Sequence, residues 1–95
     1  MTVEDEVKAL LHPVLADCVA QRTALGVAKY GQRLEDNPQP FRARLVHLVQ
    51  ELLDAAQYAT WAELSGSAYY IAELANDLQG DYDLTADEIM GGGKS

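Results

Sequence analysis

The sequence predicts an all-α protein, and its composition and hydrophobic spacing carry the prediction. The chain has 95 residues, of which 48% are hydrophobic and 23% are charged, a balance typical of one small globular domain. Apolar residues recur at helical spacing along most of the chain, whereas alternating strand patterns and Asn-Gly or Asp-Gly hairpin turns are missing. We therefore expect a single helical domain over 1–90, followed by a flexible C-terminal tail over 91–95.

Capping residues and apolar spacing locate the first helices. Thr2 and Asp5 are spaced as a capping pair that opens a helix. Helical spacing then continues to about residue 28, but Pro13 interrupts it. Either the helix kinks at Pro13, or a short first turn ends just before it and a second helix begins with Pro13 in its first position. Residues 30–40 are the longest irregular stretch, and loops of this length often contact ligands.

Three further helices are predicted at 41–64, 68–79 and 86–90. The first of them is apolar over more than one face, so it is either central or covered by a second subunit. Gly80 marks the end of the next helix, and Thr85 with Glu88 forms a capping box for the last. We expect Trp61 to lie in the core or in an interface. One ring of Tyr69 and Tyr70 is expected to be buried and the other exposed.

Several features bear on where the protein works. No apolar run approaches the roughly 18–20 residues that a membrane span requires, and the acidic N-terminus lacks the apolar region of a signal peptide. The one cysteine, Cys18, cannot form an internal disulfide, which fits a reducing compartment, and we expect it to be a small buried residue. These observations predict a cytoplasmic protein with no membrane partner.

The charge is unevenly placed. The net charge is −8; residues 1–44 carry six basic and six acidic groups, whereas residues 45–93 carry nine acids and neither Lys nor Arg. We expect no nucleic-acid polymer as a partner, because a phosphate backbone favours a basic surface. An acidic half beside a basic segment suits divalent cations and the phosphates of a small ligand. The alternative is a solvated acidic surface that keeps the protein soluble.

An acidic pair lies in the middle of the predicted helix over 41–64. Glu51 and Asp54 are three residues apart, so both carboxylates project from one face, together with His47 and Tyr58. A divalent cation between the two carboxylates would relieve their repulsion. Mg²⁺ is suitable, because it takes few carboxylates and keeps waters and substrate oxygens as its other ligands.

A second acidic pair, Glu73 and Asp77 with Asn76 beside them, lies on the next predicted helix. A turn between two antiparallel helices would bring the two acidic faces together, which is how helix bundles build cation sites. By spacing alone, both pairs also fit an ordinary solvated helix face.

Two segments in this order, GVAKYGQRLEDN and QELLDAAQYATWAEL, resemble the MazG-like all-α nucleoside triphosphate pyrophosphohydrolases, in particular small phage-type members. That family's pattern is Glu-Glu-x-x-Glu, a spacer, then Glu-x-x-Asp. Gln50, Glu51 and Asp54 stand at the acids of the first motif, with Gln and Asp in place of two Glu. Glu73 and Asn76 stand at the second motif, with Asn in place of Asp.

The resemblance implies a four-helix bundle assembled as a homodimer or homotetramer. It also implies a hydrolase that cleaves a (d)NTP, in the narrower form a purine dNTP, between the α- and β-phosphates, with Mg²⁺ or Mn²⁺ as cofactor. The catalytic residues would be Glu51 and Asp54, with Glu51 orienting or deprotonating water. The predicted metal ligands are Glu51, Asp54, Glu73 and Asp77. The predicted substrate-binding residues are Lys29, Tyr30, Arg33 and Asn76, with Arg42 as an alternative to Arg33.

Two other functions compete with the hydrolase. The departure at Asn76 fits a degenerate member of the family that binds a ligand but turns over little. The acidic composition fits a non-catalytic helical oligomer that acts through its surface.

Overall fold

A computed structural model describes residues 2–91, apart from the side chain of Tyr30. Over this part of the chain the protein is all-helical and has no strand, which confirms the all-α part of the prediction. The helices are α1 (Val3–Lys8), α2 (Pro13–Tyr30), α3 (Phe41–Trp61), α4 (Ser65–Tyr82) and α5 (Ala86–Gly91), with a 3-10 turn at Leu34–Asp36. The predicted tail lies outside the described residues except for Gly91, which ends α5. None of the described helices is both long enough and apolar enough to cross a membrane.

The chain forms two compact units, Met1–Pro38 and Gln39–Ser95. The six described hydrophobic residues that are buried all belong to the second unit. The described side chains of the first unit are half-buried or exposed, so that unit has no core of its own. A unit without a core is not a domain by itself, and the prediction of one domain over 1–90 stays a prediction.

The first unit begins with a capped helix. The Thr2 hydroxyl accepts a hydrogen bond from the Asp5 N–H at 3.1 Å, as the capping pair predicted. Pro13 occupies the first turn of α2, so the second of the two alternatives at this proline is correct. The missing N–H of a proline costs nothing at this position, because the first N–H groups of a helix have no partner within the helix.

The irregular segment after α2 is held to α1. Gly31 ends α2 with a φ of 79°, a left-handed conformation that a residue with a side chain rarely adopts, and its N–H donates to the Val27 carbonyl at 2.8 Å. Further along, Arg33 Nη1 donates to Glu4 Oε1 at 3.3 Å. The Val3 N–H donates to the Glu35 carboxylate at 3.4 Å.

The second unit is a helical hairpin of α3 and α4. The short helix α5 packs against α3 at the end of the hairpin opposite the connection. Residues 62–64 connect α3 to α4, and the two helices pack along their length. A small core lies where the three helices meet, with Leu78 and Ile89 packed against its edge. The residues of this core are Leu45, Val46, Val49 and Leu84.

The ends of α3 and α4 differ from the prediction. Gly66 and Gly80 lie inside α4, and Glu63 and Asp83 instead take the left-handed conformation after the two helices, with φ of 62° and 52°. In both cases the residue after the left-handed one donates its N–H back to the helix, as in a Schellman motif. At the end of α4 this residue is Leu84, which is only 2% exposed. Burial of Leu84 therefore accounts for where α4 ends.

The exposure of four side chains bears on the burial predictions. Tyr69 and Tyr70 are both exposed, at 61% and 75%, so the prediction that one of them is buried is wrong. Cys18 is exposed rather than buried. Trp61 is 83% exposed and does not belong to the core of the chain, which leaves the interface as the remaining alternative.

A partly exposed ion pair joins all three helices of the second unit. Arg42 at the start of α3 pairs with Glu88 on α5 and donates hydrogen bonds to the Tyr82 and Asp83 carbonyls at the end of α4, at 3.0 and 3.1 Å. Glu88 also accepts from the Thr85 N–H at 3.0 Å, which confirms the predicted capping box. Together with the Thr85 groups, the Arg42 guanidinium lowers the pKa of the Glu88 carboxyl to about 2.

This lowered pKa predicts a pH-dependent contribution to stability. Because the carboxylate has its lower pKa only in the folded chain, its contribution is complete above its ordinary value of 4.5 and is lost as the pH falls towards 2. We expect Glu88→Gln to lower the free energy of unfolding most near neutral pH, and the difference from the wild type to shrink on acidification. Urea unfolding of both proteins between about pH 7 and about pH 2 measures this difference.

Asp87→Asn is the matched control, since it removes one charge from the same turn of α5. A Glu88→Gln effect that stays constant over the whole pH range would contradict the assigned ion pair.

Candidate functional site

The first predicted acidic pair lies at the middle of α3. Glu51 and Asp54 are both exposed, and their spacing puts them on one face of the helix. His47 lies one turn earlier on this face, and its Nε2 is 3.6 Å from Glu51 Oε1. The pair is thus open to solvent and to ligands, with an imidazole beside one carboxylate.

The acidic face of α3 is turned away from α4. The face that α3 buries carries Leu45 and Val49, and Glu51 and Asp54 lie on the opposite side of the helix by the 3.6-residue period. The helical period therefore places the two carboxylates on the outer side of the hairpin.

The second predicted pair has the same orientation on α4. Glu73 and Asp77 are exposed and lie across the helix from the buried Ala75. Asn76 Nδ2 donates to Glu73 Oε1 at 3.5 Å, so the amide orients one carboxylate and leaves its other oxygen open. Asn76 is therefore a hydrogen-bonding neighbour of Glu73, at the position where the resembled family has Asp.

Within one hairpin the two acidic faces do not meet. Both pairs point outward, whereas an antiparallel turn between the helices was expected to bring them together. Among residues 2–91, no group of three or more His, Cys, Asp or Glu side chains is arranged to hold a metal ion. The assignment of four metal ligands stays a prediction, and in one chain it rests on two separate pairs.

Gln50 explains one departure from the family pattern. Its Nε2 donates a 2.6 Å hydrogen bond to the Ile89 carbonyl, which joins α3 to α5 in a partly buried position. An ionised glutamate has no N–H or O–H to donate. The position that carries an acid in the resembled family thus serves here as a structural donor, a role that the sequence pattern did not reveal.

The predicted substrate-binding cations belong to the first unit. Lys29 lies in the last turn of α2, and Tyr30 is the final residue of that helix. Arg33 is paired with Glu4, so a phosphate would compete with that carboxylate. Arg42, the alternative to Arg33, belongs to the second unit and pairs with Glu88, so a phosphate would compete with that carboxylate as well.

No protein-family model, curated protein or solved structure matches this chain at a significant level. The likeness to the MazG-like pyrophosphohydrolases thus rests on the two sequence segments and the placement of their acids.

The hydrogen bond of Gln50 predicts that restoring the acid destabilises the fold. In Gln50→Glu a carboxylate would face the Ile89 carbonyl oxygen without a proton between them. An unsatisfied partly buried group of this kind costs about 1–3 kcal/mol. Chemical unfolding at neutral pH measures the loss.

Gln57→Glu provides the control for this substitution. Gln57 lies on the same helix but is exposed, and its amide reaches only its own helix, at Leu53. A Gln50→Glu protein as stable as Gln57→Glu would show that the bond to α5 contributes little.

Proposed function

We propose that the protein is a metal-dependent (d)NTP pyrophosphohydrolase, which cleaves the bond between the α- and β-phosphates to give a (d)NMP and pyrophosphate. The observation that carries the proposal is the exposed pair of Glu51 and Asp54 on one face of α3, inside the segment that resembles the family's first motif. The two carboxylates are accessible to a substrate in solution, as a hydrolase of a free nucleotide requires.

The donor set suits a hard divalent cation. Carboxylate oxygens are the ligands that Mg²⁺ and Mn²⁺ take in proteins. We propose that Glu51 and Asp54 hold the cofactor, with Glu73 and Asp77 completing its ligands. When bound, the metal would supply Lewis-acid stabilisation of the charge that develops on the triphosphate.

The remaining chemistry falls to the chain's own side chains. Glu51 accepts the proton of the attacking water, whose oxygen bonds to the α-phosphorus as the bond from that phosphorus to the α–β bridging oxygen breaks and pyrophosphate leaves with that oxygen. His47, near Glu51 Oε1, helps to orient that carboxylate. Lys29 and Arg33 contact phosphate oxygens as cations, Tyr30 borders the base, and Asn76 contacts the substrate from α4.

The proposed assembly is a helical bundle in the form of a homodimer or homotetramer, acting in the cytoplasm. Outward-facing acids on both helices of the hairpin favour an oligomer, because a second copy offers carboxylates that one hairpin does not bring together. The substrate is a purine dNTP in the narrower form of the proposal.

A second candidate is a non-catalytic acidic oligomer that binds partners or ligands through its surface. Asn76 favours it, since an amide bonded to Glu73 replaces the acid of the second motif. This candidate predicts no release of pyrophosphate from any nucleotide.

A product assay decides between the two. The protein is incubated with each common NTP and dNTP in Mg²⁺ or Mn²⁺, with a chelator control, and the products are separated. The hydrolase predicts a monophosphate and pyrophosphate only in the presence of metal. A diphosphate with orthophosphate would contradict the proposed bond, and no turnover of any nucleotide would favour the second candidate.

The variant Glu51→Gln tests the assigned residue. We expect its turnover to fall by about 100-fold or more, since a general base contributes at least this factor, while the circular dichroism spectrum stays that of the wild type. Glu63→Gln makes the same change at an exposed glutamate outside the assigned site. Near-normal turnover of Glu51→Gln would show that the site lies elsewhere.

A further inference from the structure

His47 places an imidazole on the acidic face of α3, one turn before Glu51. The two residues are four positions apart, so their side chains are neighbours on the helix surface. His47 Nε2 is 3.6 Å from Glu51 Oε1, and the two side chains are 71% and 64% exposed. Pairs of metal ligands on helices use this same spacing, as in the two histidines of the His-Glu-x-x-His zinc motif.

The 3.6 Å separation fits one ion between the two atoms better than a direct hydrogen bond. A hydrogen bond from an N–H to an oxygen spans about 2.7–3.2 Å, which is shorter than this separation. A first-row transition-metal ion lies about 2.1 Å from either kind of atom, and two ligand atoms 3.6 Å apart then subtend about 120° at the ion. Both side chains are exposed, so a small rotation adjusts this angle to the geometry that the ion requires.

The charges around the pair favour a cation. Arg44, the nearest Lys or Arg along α3, has its Nε directed at the Gln39 carbonyl, 2.7 Å away. The next charged residue after Glu51 is Asp54, another carboxylate, and residues 45–93 contain neither Lys nor Arg. The pair therefore lies in an acidic stretch that attracts divalent cations.

The nitrogen atom bears on which divalent cation the pair selects. Mg²⁺ is bound in proteins by oxygen ligands, whereas an imidazole is a ligand of first-row transition metals. Sites with nitrogen and oxygen ligands bind these metals with affinities that increase from Mn²⁺ to Fe²⁺ to Co²⁺. A site made of one imidazole and one carboxylate is therefore better suited to a transition metal than to Mg²⁺.

From these observations we infer that His47 Nε2 and Glu51 Oε1 bind the same ion, and that this ion is a first-row transition metal. Of the two cofactors in the proposed function, the site prefers Mn²⁺ to Mg²⁺. The inference rests on the proposed function only for the reaction that the metal serves. The pattern of the resembled family contains no histidine, so the resemblance does not imply this ligand.

Metal binding to the full chain without nucleotide tests the inference. The electron paramagnetic resonance signal of hydrated Mn²⁺ decreases when the ion binds to the protein, and a competing ion restores the signal. Titrations with Mn²⁺ alone, and then with Mg²⁺ or Co²⁺ as competitor, give the three affinities. We expect the affinity to increase from Mg²⁺ to Mn²⁺ to Co²⁺.

The variant His47→Ala removes the nitrogen ligand and keeps both carboxylates. We expect the dissociation constant for Mn²⁺ to rise about tenfold or more, since even the loss of an outer partner of a metal ligand costs this factor. The affinity for Mg²⁺ should stay that of the wild type. His12→Ala is the matched control, because His12 is the chain's other histidine, is exposed, and precedes α2 in the first unit. Circular dichroism checks that both variants keep their helices.

Three results would overturn the inference. The first is a wild-type chain that binds neither Mn²⁺ nor Co²⁺, or that binds Mn²⁺ no more tightly than Mg²⁺. The second is a His47→Ala protein that binds Mn²⁺ as His12→Ala does, which would leave an ordinary ion pair between His47 and Glu51. The third is an equal loss of Mn²⁺ and Mg²⁺ affinity in His47→Ala, which would show that the imidazole only orients Glu51.

The outcome is separate from that of the product assay. If the protein releases pyrophosphate but His47→Ala leaves Mn²⁺ binding unchanged, the hydrolase stands and the nitrogen ligand does not. If His47→Ala selectively weakens Mn²⁺ binding but no nucleotide is hydrolysed, the metal site stands and the hydrolase does not.

Discussion

The second unit depends on the narrow apolar seam along which α3 packs against α4. Leu45 and Val49 form the buried side of α3, and Ala75 is the buried residue of α4. Since a helix has one orientation about its own axis, burying these residues decides which others face outward. The seam thereby turns Glu51 and Asp54, and the acids of α4, to the solvent side of the hairpin.

The smallness of this seam has an energetic consequence. Burying a side chain the size of valine or leucine contributes about 1.5–3 kcal/mol, and alanine contributes less. The six hydrophobic residues buried within residues 2–91 give a thin core for a chain of this length, and all of them lie in one unit. Polar contacts therefore matter more than usual, and the Arg42–Glu88 ion pair and the Gln50 amide both join α5 to the rest of the unit.

Local chemistry made much of the fold predictable from the sequence. The Thr2 cap and the Thr85–Glu88 box depend on residues close together in the chain, and both were located correctly. The helix start at Pro13 was one of two alternatives that the sequence allowed. The helix ends at Glu63 and Asp83 were not predicted. At Asp83 the burial of Leu84 outweighed the preference of glycine for such a position. The partner of Glu88, 46 residues away, left no local signal.

The candidate site was predictable only in part. The helical period places Glu51 and Asp54 on a common face, and this much follows from spacing. Which face packs against α4 did not follow, because α3 carries apolar residues such as Leu48 and Leu53 outside its buried side. Apolar character does not guarantee burial, and for the same reason the predictions of a buried tyrosine ring and a buried Cys18 were wrong.

The amide of Gln50 has a consequence for how this sequence can change over evolutionary time. A lineage that regained a glutamate at this position would have to supply the Ile89 carbonyl with a different donor or move the last helix. Substitutions at residue 50 are therefore expected to be inherited together with substitutions in the C-terminal helix. In descendants of this chain, the residue at position 50 would therefore indicate whether the C-terminal helix is still held through this hydrogen bond.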